Sequence, residues 1–585
     1  MRGSGRPAGG QGARELSAAL ALCRKGFIGV ALFSAVLNIL YLTGSFYMLE
    51  VYDRVLPSRS VPTLVGISVL ALALFSFQGL LDIVRSRILV RIGRSLDESV
   101  SHRVYQIAAK LPFQPPAIRG LQPLRDLGQV RSFLSSVGPA AFFDLPWMPL
   151  YLGICYMFHP WLGIAAGVGG LLLVTITIIT EFKSRAPAKV ASELGYGRNV
   201  LAEASRRNAE VAHALGMVDR LALQWGELNR RCLAAEERVA DITGGLGGLS
   251  KVLRMVLQSA VLGIGAYLVI NQQASAGVII ASSILTSRAL APVELAVGQW
   301  KGFAAARQAW RRLNELMGIM PAEQQRIDLP KPAHTVKLEA VTVVPPGSSQ
   351  AVVQDVAFEL KAGQGLGVIG PSASGKSSLV RAMVGVWPAV RGKIRIDGAA
   401  LDRWSASALG PHIGYLPQDM ELFAGTVAQN IARFDPEAKS ETIIAAATAA
   451  GVHQLVLGLP NGYETQIGES GASLSAGQRQ RIGLARALYG NPFLVVLDEP
   501  NSSLDNEGEE ALTAAMLGVR ARGGIVVVIA HRPSALAGVD MILVMRDGRQ
   551  QAFGPKDVVL KAALQRPVST EPKPLRLATR SQEAS

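Results

Sequence analysis

Two stretches, Phe27 to Leu49 and Val61 to Leu81, contain no charged residue, and each is long enough to cross roughly 30 Å of hydrocarbon as a helix. Two longer apolar stretches follow, Leu145 to Thr180 and Met255 to Ser287, each sufficient for two crossings. His159-Pro160 divides the first and Asn271-Gln272-Gln273 the second, so both are predicted to be tight helical hairpins. Six spans are therefore expected, at about 27–49, 61–81, 140–158, 160–181, 252–270 and 276–298.

The chain carries 59 Lys and Arg against 44 Asp and Glu, a formal charge of +15 that suits either nucleic acid or a membrane surface. The distribution of the charge decides between them. The N-terminal segment (Arg2, Arg6, Arg14, Arg24, Lys25), the connection after the second span (Arg85, Arg87, Arg91, Arg94, Arg103, Lys110) and that after the fourth (Lys183, Arg185, Lys189, Arg198, Arg206, Arg207) are all basic. With six spans these fall on one side, so the positive-inside rule places both termini of a multi-pass membrane protein in the cytoplasm. Topology and anionic membrane lipid account for much of the charge, and nucleic-acid binding is not expected. The first apolar run ends at Glu50 and Asp53 rather than at a small-residue cleavage site, so it reads as a retained span, not a cleaved signal. Cys23, Cys155 and Cys232 lack metal-ligand spacing and are expected to be buried apolar residues.

The expected organisation is a polar arm at 1–22, a transmembrane region at 23–315, a proline-punctuated linker at 316–334, an α/β region at 335–562 and a disordered tail at 563–585. Between the spans, two excursions at about 82–140 and 183–250 carry apolar residues at helical spacing and read as continuations of the membrane helices. They should reverse near PPAIRGLQPLRDL and near AEVAHALGMVDR, where a short cross-helix would suit contact with a soluble domain. The 335–562 region alternates strands such as GLGVIG, FLVVLD and GIVVVIA with helical stretches, the pattern of a mainly parallel sheet covered by helices.

Two motifs carry chemistry. In Gly370-Pro371-Ser372-Ala373-Ser374-Gly375-Lys376-Ser377-Ser378, glycines between a strand and a helix let backbone N–H groups converge on phosphate. Lys376 would neutralise the β- and γ-phosphates, and the Ser377 hydroxyl would ligate Mg²⁺. The strand Phe493 to Glu499 ends in two acids, of which Asp498 is placed to hold the metal and Glu499 to polarise an attacking water.

A third stretch, Leu474 to Arg481 (LSAGQRQR), looks redundant beside the first phosphate loop. It resembles the signature sequence of ATP-binding-cassette (ABC) proteins, with Ala476 where glycine is usual. The resemblance extends to Gln418 (Q-loop), Asn501 to Asp505 (D-loop), His531 (switch histidine) and Gly468-Glu469-Ser470-Gly471, the loop before the signature in exporters. It implies a fold, an α-helical six-span exporter transmembrane domain fused to an α/β nucleotide-binding domain of the P-loop NTPase class. It also implies that Ser475, Gly477 and Gln478, with Asp505, close on ATP held by a second cassette. One cassette and six spans make a half-transporter, so a homodimer with two composite ATP sites is expected. Glu499, His531 and Gln418 are then the catalytic set, with Ser377, Gln418 and Asp498 around Mg²⁺. Ala476 is tolerable if its φ stays negative.

ABC exporters usually carry an aromatic after the first cassette strand to stack on adenine; here Pro345 occupies that place. The runs Phe142 to Gly163 and Arg206 to Trp225 resemble the ATPase/permease of bacterial type I protein secretion systems, in the branch exporting metalloproteases, lipases and glycine-rich repeat proteins. That resemblance implies export of an unfolded polypeptide with a C-terminal signal, together with a periplasmic adaptor and an outer-membrane channel. A lipid or multidrug half-exporter is the alternative, since its cassette would look the same. With about 26 residues before the first span, no N-terminal peptidase domain is expected. Arg288 and Glu294, costly to expose to lipid, should face either a water-filled path or each other.

Overall fold

The computed structural model describes residues 9–114, 122–320, 329–468, 471 and 473–565. The chain forms two compact units, one of residues 1–112 and 117–322, the other of residues 113–116 and 323–585.

The first unit is helical: α1 Gly9–Leu22, α2 Arg24–Leu40, α3 Thr43–Glu50, α4 Val61–Lys110, α5 Pro123–Leu134, α6 Gly138–Asp144, α7 Met148–Phe158, α8 Pro160–Arg207, α9 Ala209–Ala214, α10 Val218–Ile270, α11 Ala276–Gly298 and α12 Trp300–Ile319. Among the described residues, six helical segments are long and apolar enough to cross a membrane. Helices α4, α8 and α10 run unbroken for 50, 48 and 53 residues, so the polar excursions extend the same helices that carry the apolar runs. The reversal between α8 and α10 is the short helix α9 and a turn at Gly216, whose φ is +61°. The other expected reversal, at 115–121, lies outside the described residues, as do 321–328 of the linker, Glu469 and Ser470 of the pre-signature loop, and 566–585 of the tail.

Several features depart from the sequence reading. The segment expected as a polar arm contains α1, which buries Leu16 and Ala19 and pairs Glu15 with Arg103 of α4 at 3.3 Å. Helix α12 continues to Ile319, into the expected linker. Arg85, placed by the sequence in the basic connection after the second span, is buried. It donates to both oxygens of Asp144 at 3.0 Å, to Asp82 at 2.7 Å and to Ser34 at 3.1 Å. Asn38 donates to Asp144 at 2.9 Å and to the Ser34 carbonyl, while the Tyr151 hydroxyl donates to Asn38 at 2.7–2.8 Å. This polar knot ties α2, α4, α6 and α7 together inside the apolar unit. Arg288 and Glu294 are not partners: Glu294 pairs with Arg254 of α10 at 2.5 Å, and Arg288 lies over the Tyr41 ring at 4.8 Å. Six residues place Arg288 and Glu294 on different faces of α11, since a helix repeats every 3.6 residues. Midway along α10, Gly244, Gly245, Gly247 and Gly248 have open space where a Cβ would stand.

The second unit is built on a ten-stranded sheet, with strands β1 Thr335–Val343, β2 Val353–Lys361, β3 Gly365–Ile369, β4 Arg391–Ile396, β5 Ala399–Ala400, β6 Ile413–Leu416, β7 Leu494–Asp498, β8 Ile525–Ile529, β9 Met541–Arg546 and β10 Arg549–Pro555. The order is β5-β4-β1-β2-β10-β9-β3-β8-β7-β6. The stretch β9-β3-β8-β7-β6 is parallel, and every residue of β7 and β8 is buried, as expected of strands covered on both faces. Parallel β3, β6, β7 and β8 deliver their carboxyl ends to one edge, the usual location of a ligand site in such a sheet.

Candidate nucleotide site

Strand β3 runs through the loop Gly370–Gly375 into helix α13, Lys376–Met383. The glycines are required: Gly370 has φ +153° and a Cβ there would lie 2.1 Å from the Met545 carbonyl, while Gly375 has φ +92° and would meet the Val352 carbonyl at 2.5 Å. Ala373 also takes a positive φ, +63°. Pro371, Ser372 and Ala373 are exposed at the tip, and Ser377 and Ser378 open the helix. Lys376 bends back on its own loop, donating to the carbonyls of Gly370 at 2.9 Å and Pro371 at 2.8 Å. Burial lowers its pKa, partly offset by Glu499 and Asp498. The Ser374 hydroxyl is buried and has no hydrogen-bond partner among the described residues.

Asp498 is the last residue of β7. Burial raises its pKa above the usual carboxylate range, against the Ser377 hydroxyl, which donates to Oδ1 at 3.2 Å. Its Oδ2 is buried without a hydrogen-bond partner among the described residues. A buried carboxylate with an orphaned oxygen beside a serine hydroxyl fits a hard divalent cation, which takes oxygen ligands. Gln418, expected as a third ligand, donates to Glu499 Oε2 at 3.1 Å.

Glu499 follows with φ +50°, a strained conformation for a side chain of this size, held by its N–H donating to the Ile529 carbonyl at 3.2 Å. Its carboxylate is gripped from two sides, since His531 Nε2 lies 3.0 Å from Oε1 opposite Gln418 on Oε2. β6 positions Gln418 and β8 positions His531, so residues 113 apart in sequence meet on one carboxylate.

The signature segment caps its own helix. Ser475 precedes α14, Ala476–Leu488, in a reciprocal arrangement: the Gln478 N–H donates to the Ser475 hydroxyl at 3.2 Å, and the Ser475 N–H donates to the Gln478 side chain at 2.9 Å. The hydroxyl hydrogen of Ser475 is left available as a donor. Ala476 starts the helix with a negative φ, so its extra methyl causes no backbone strain. A Cβ on Gly477 would lie 2.9 Å from the Ser503 carbonyl. The sequence reading omitted Gln480 and Arg481. Gln480 donates to the Glu499 carbonyl at 3.4 Å and accepts from the Ser503 N–H at 3.0 Å, linking the signature helix to the D-loop. Arg481 pairs with Asp505, which also caps helix α15, Asn506–Ala521, through the Gly508 N–H. That N–H, then Arg481, lowers the Asp505 pKa. The signal was present as polar residues on α14 that bond the segment after β7, but periodicity alone does not name their partners.

Family models agree with this geometry: the ABC transporter transmembrane region matches residues 27–292 and the ABC transporter model matches residues 353–502. The type I secretion system ATP-binding protein PrsD of Rhizobium meliloti (strain 1021) is 57% identical over 572 residues, covering 97% of this chain and 98% of that protein. The chain belongs to the ABC transporters of type I secretion. The cyclolysin secretion/processing ATP-binding protein CyaB of Bordetella pertussis (strain Tohama I) is 28% identical, over 91% of this transporter and 75% of its own length. A solved bacterial Atm1-family ABC exporter shares the fold, with a TM-score of 0.78 at 22% identity, over 94% of this chain and 100% of that one. The transporter is a multi-pass membrane protein and an ATPase.

Pro345 lies just beyond β1, its carbonyl accepting from the Ser348 N–H at 3.0 Å. Without an aromatic there, a stacking contribution of about 1–3 kcal/mol is lost. GTP is therefore expected to compete with ATP for this cassette more effectively than for one with the aromatic. A competition assay showing strong ATP preference would contradict this.

Proposed function

We propose that two copies of this transporter form a homodimer in the bacterial inner membrane, with both termini cytoplasmic, that uses ATP to export an unfolded polypeptide with a C-terminal secretion signal. Similarity over nearly the full length of a type I secretion ATP-binding protein carries this reading. A periplasmic adaptor and an outer-membrane channel complete the route.

In the proposed cycle, Lys376 exchanges the carbonyls of Gly370 and Pro371 for the β- and γ-phosphate oxygens of ATP. The backbone of Gly370 to Ser378 cradles the phosphates at the start of α13, where the helix dipole favours anions. Ser475 and Gly477 of the other copy donate to the γ-phosphate from outside, with Gln478 fixing the Ser475 hydroxyl and Asp505 anchoring the neighbouring loop through Arg481. Ser377 and Asp498 would hold Mg²⁺, which when bound offsets charge developing on the phosphates. Glu499 orients and deprotonates the attacking water, while Gln418 and His531 fix the direction of its carboxylate. Release of phosphate removes the bond between cassettes, and the two copies separate.

Composite sites make a sharp demand on mixed dimers. A Lys376→Ala chain and a Ser475→Arg chain should each be inactive alone. A dimer of one with the other retains one site in which the intact phosphate loop meets the intact signature, so ATPase activity should return. A verified mixed dimer with no activity would place each site within one chain. The cargo is tested by ATPase stimulation, in which C-terminal secretion segments should act and lipids or drugs should not.

A further inference from the structure

The helical unit contains a cavity of about 420 Å³ between α5, α8, α10 and α12. On α8 it begins at Glu181, just after the apolar run that ends at Thr180. Two of its carboxylates are already matched. Arg307 donates to Glu181 at 2.7 Å, and Arg312 grips Asp126 with bonds of 2.9 and 2.5 Å. Of its other two acids, Glu193 pairs with Lys189 at 3.8 Å and Glu236 accepts from the Cys232 thiol at 3.6 Å, which leaves the Glu236 charge in place. Arg198 in the same lining donates to the Asn229 amide oxygen at 2.9 Å rather than to an acid. Arg125, Arg185 and Lys301 face the same space, are exposed, and have no carboxylate partner among the described residues. The cavity thus holds a surplus of positive charge at its mouth.

The rest of the lining indicates what that charge receives. Ala188, Ala191 and Ala304 leave room for a backbone, and the amides of Gln129 and Gln308 offer both donors and acceptors to peptide groups. Val239, Tyr196 and Trp300 are the large apolar side chains of the lining, set among its charged and amide groups. From Glu181 to Arg198 the α8 wall rises about 25 Å, the length of about seven or eight extended residues.

We propose that this cavity is an intake seat for an extended, carboxylate-bearing segment of the exported polypeptide, with Arg125, Arg185 and Lys301 meeting its acidic side chains. The proposal rests on the protein-export reading above and adds the chemistry of the stretch that engages first. Charge complementarity sets its preference, so binding should weaken as salt rises.

The test uses the full-length transporter in neutral-lipid nanodiscs and two labelled octapeptides, one with alternating glutamates and one with glutamines in their place. The acidic peptide should bind about tenfold more tightly or better. The Arg185→Glu, Lys301→Glu double variant should lose that preference and favour a lysine peptide, with basal ATPase activity unchanged. Arg185→Gln with Lys301→Gln should erase the preference without reversing it, and serves if the reversal does not fold. Equal affinity for both peptides, or a preference that survives both variants, overturns the proposal. So does loss of peptide binding on adding anionic lipid, which would make the cavity a headgroup site. Disulfide formation between two Ser192→Cys copies, unaffected by peptide, would place a second copy there and overturn it too. If both peptides stimulate ATPase equally, the export reading stands and this inference fails. If neither binds while lipids or drugs stimulate, the export reading itself fails.

Discussion

A Glu499→Gln transporter is expected to hydrolyse ATP roughly 10²- to 10⁴-fold more slowly, the contribution of a positioned general base. It should still bind ATP and should accumulate as a closed dimer. The geometry gives two reasons for so large an effect. The amide cannot accept a proton from water. It also presents an NH₂ to either Gln418 Nε2 or His531 Nε2, both of which approach the wild-type carboxylate at 3.0–3.1 Å, so one donor faces another. Turnover in detergent, with retained nucleotide measured after rapid gel filtration, separates loss of chemistry from loss of binding. Turnover near the wild-type rate would overturn the assignment of Glu499.

The second large effect is on stability. Asp144→Leu leaves the Arg85 guanidinium, whose side chain is only 10% exposed, with its principal partner gone. Breaking one side of a buried ion pair costs about 3–5 kcal/mol, because the remaining charge keeps its desolvation penalty. The single variant should therefore unfold at a clearly lower temperature than wild type, with Asn38, which holds Tyr151, also losing its bond to Asp144. The Arg85→Met, Asp144→Leu double variant should recover most of the loss, since it removes the charge as well as its partner. A double variant as unstable as the single one would show that the knot acts through shape rather than charge.

These two sites differ in how far the sequence revealed them. The phosphate loop, the acids after β7 and the signature segment are local in sequence, and each needs residue types that few other structures require, so glycines at Gly370 and Gly375 point directly to backbone conformation. The grip on Glu499 was legible only as separate residues expected from the family resemblance, because sequence gives no distance between the ends of β6, β7 and β8. The knot around Arg85 was misread for a physical reason. A basic residue four positions after an apolar run looks like a cytoplasmic anchor, and only the return of α6 with Asp144, 59 residues later, makes it a core residue. The pairing of Glu294 with Arg254 rather than Arg288 reflects the same limit, since helix packing chooses among several charges that spacing leaves equivalent.

Four glycines clustered midway along α10 bear on motion. Gly244, Gly245, Gly247 and Gly248 face open space, so among the described residues no neighbouring side chain needs their smallness. Each costs about 1 kcal/mol of helix stability relative to alanine. A helix of 53 residues, about 80 Å long, is thereby given a pliant joint just before its apolar half. Its two halves can change angle cheaply, and a tilt imposed at the α9 end is absorbed in part at that joint rather than carried whole to Ile270.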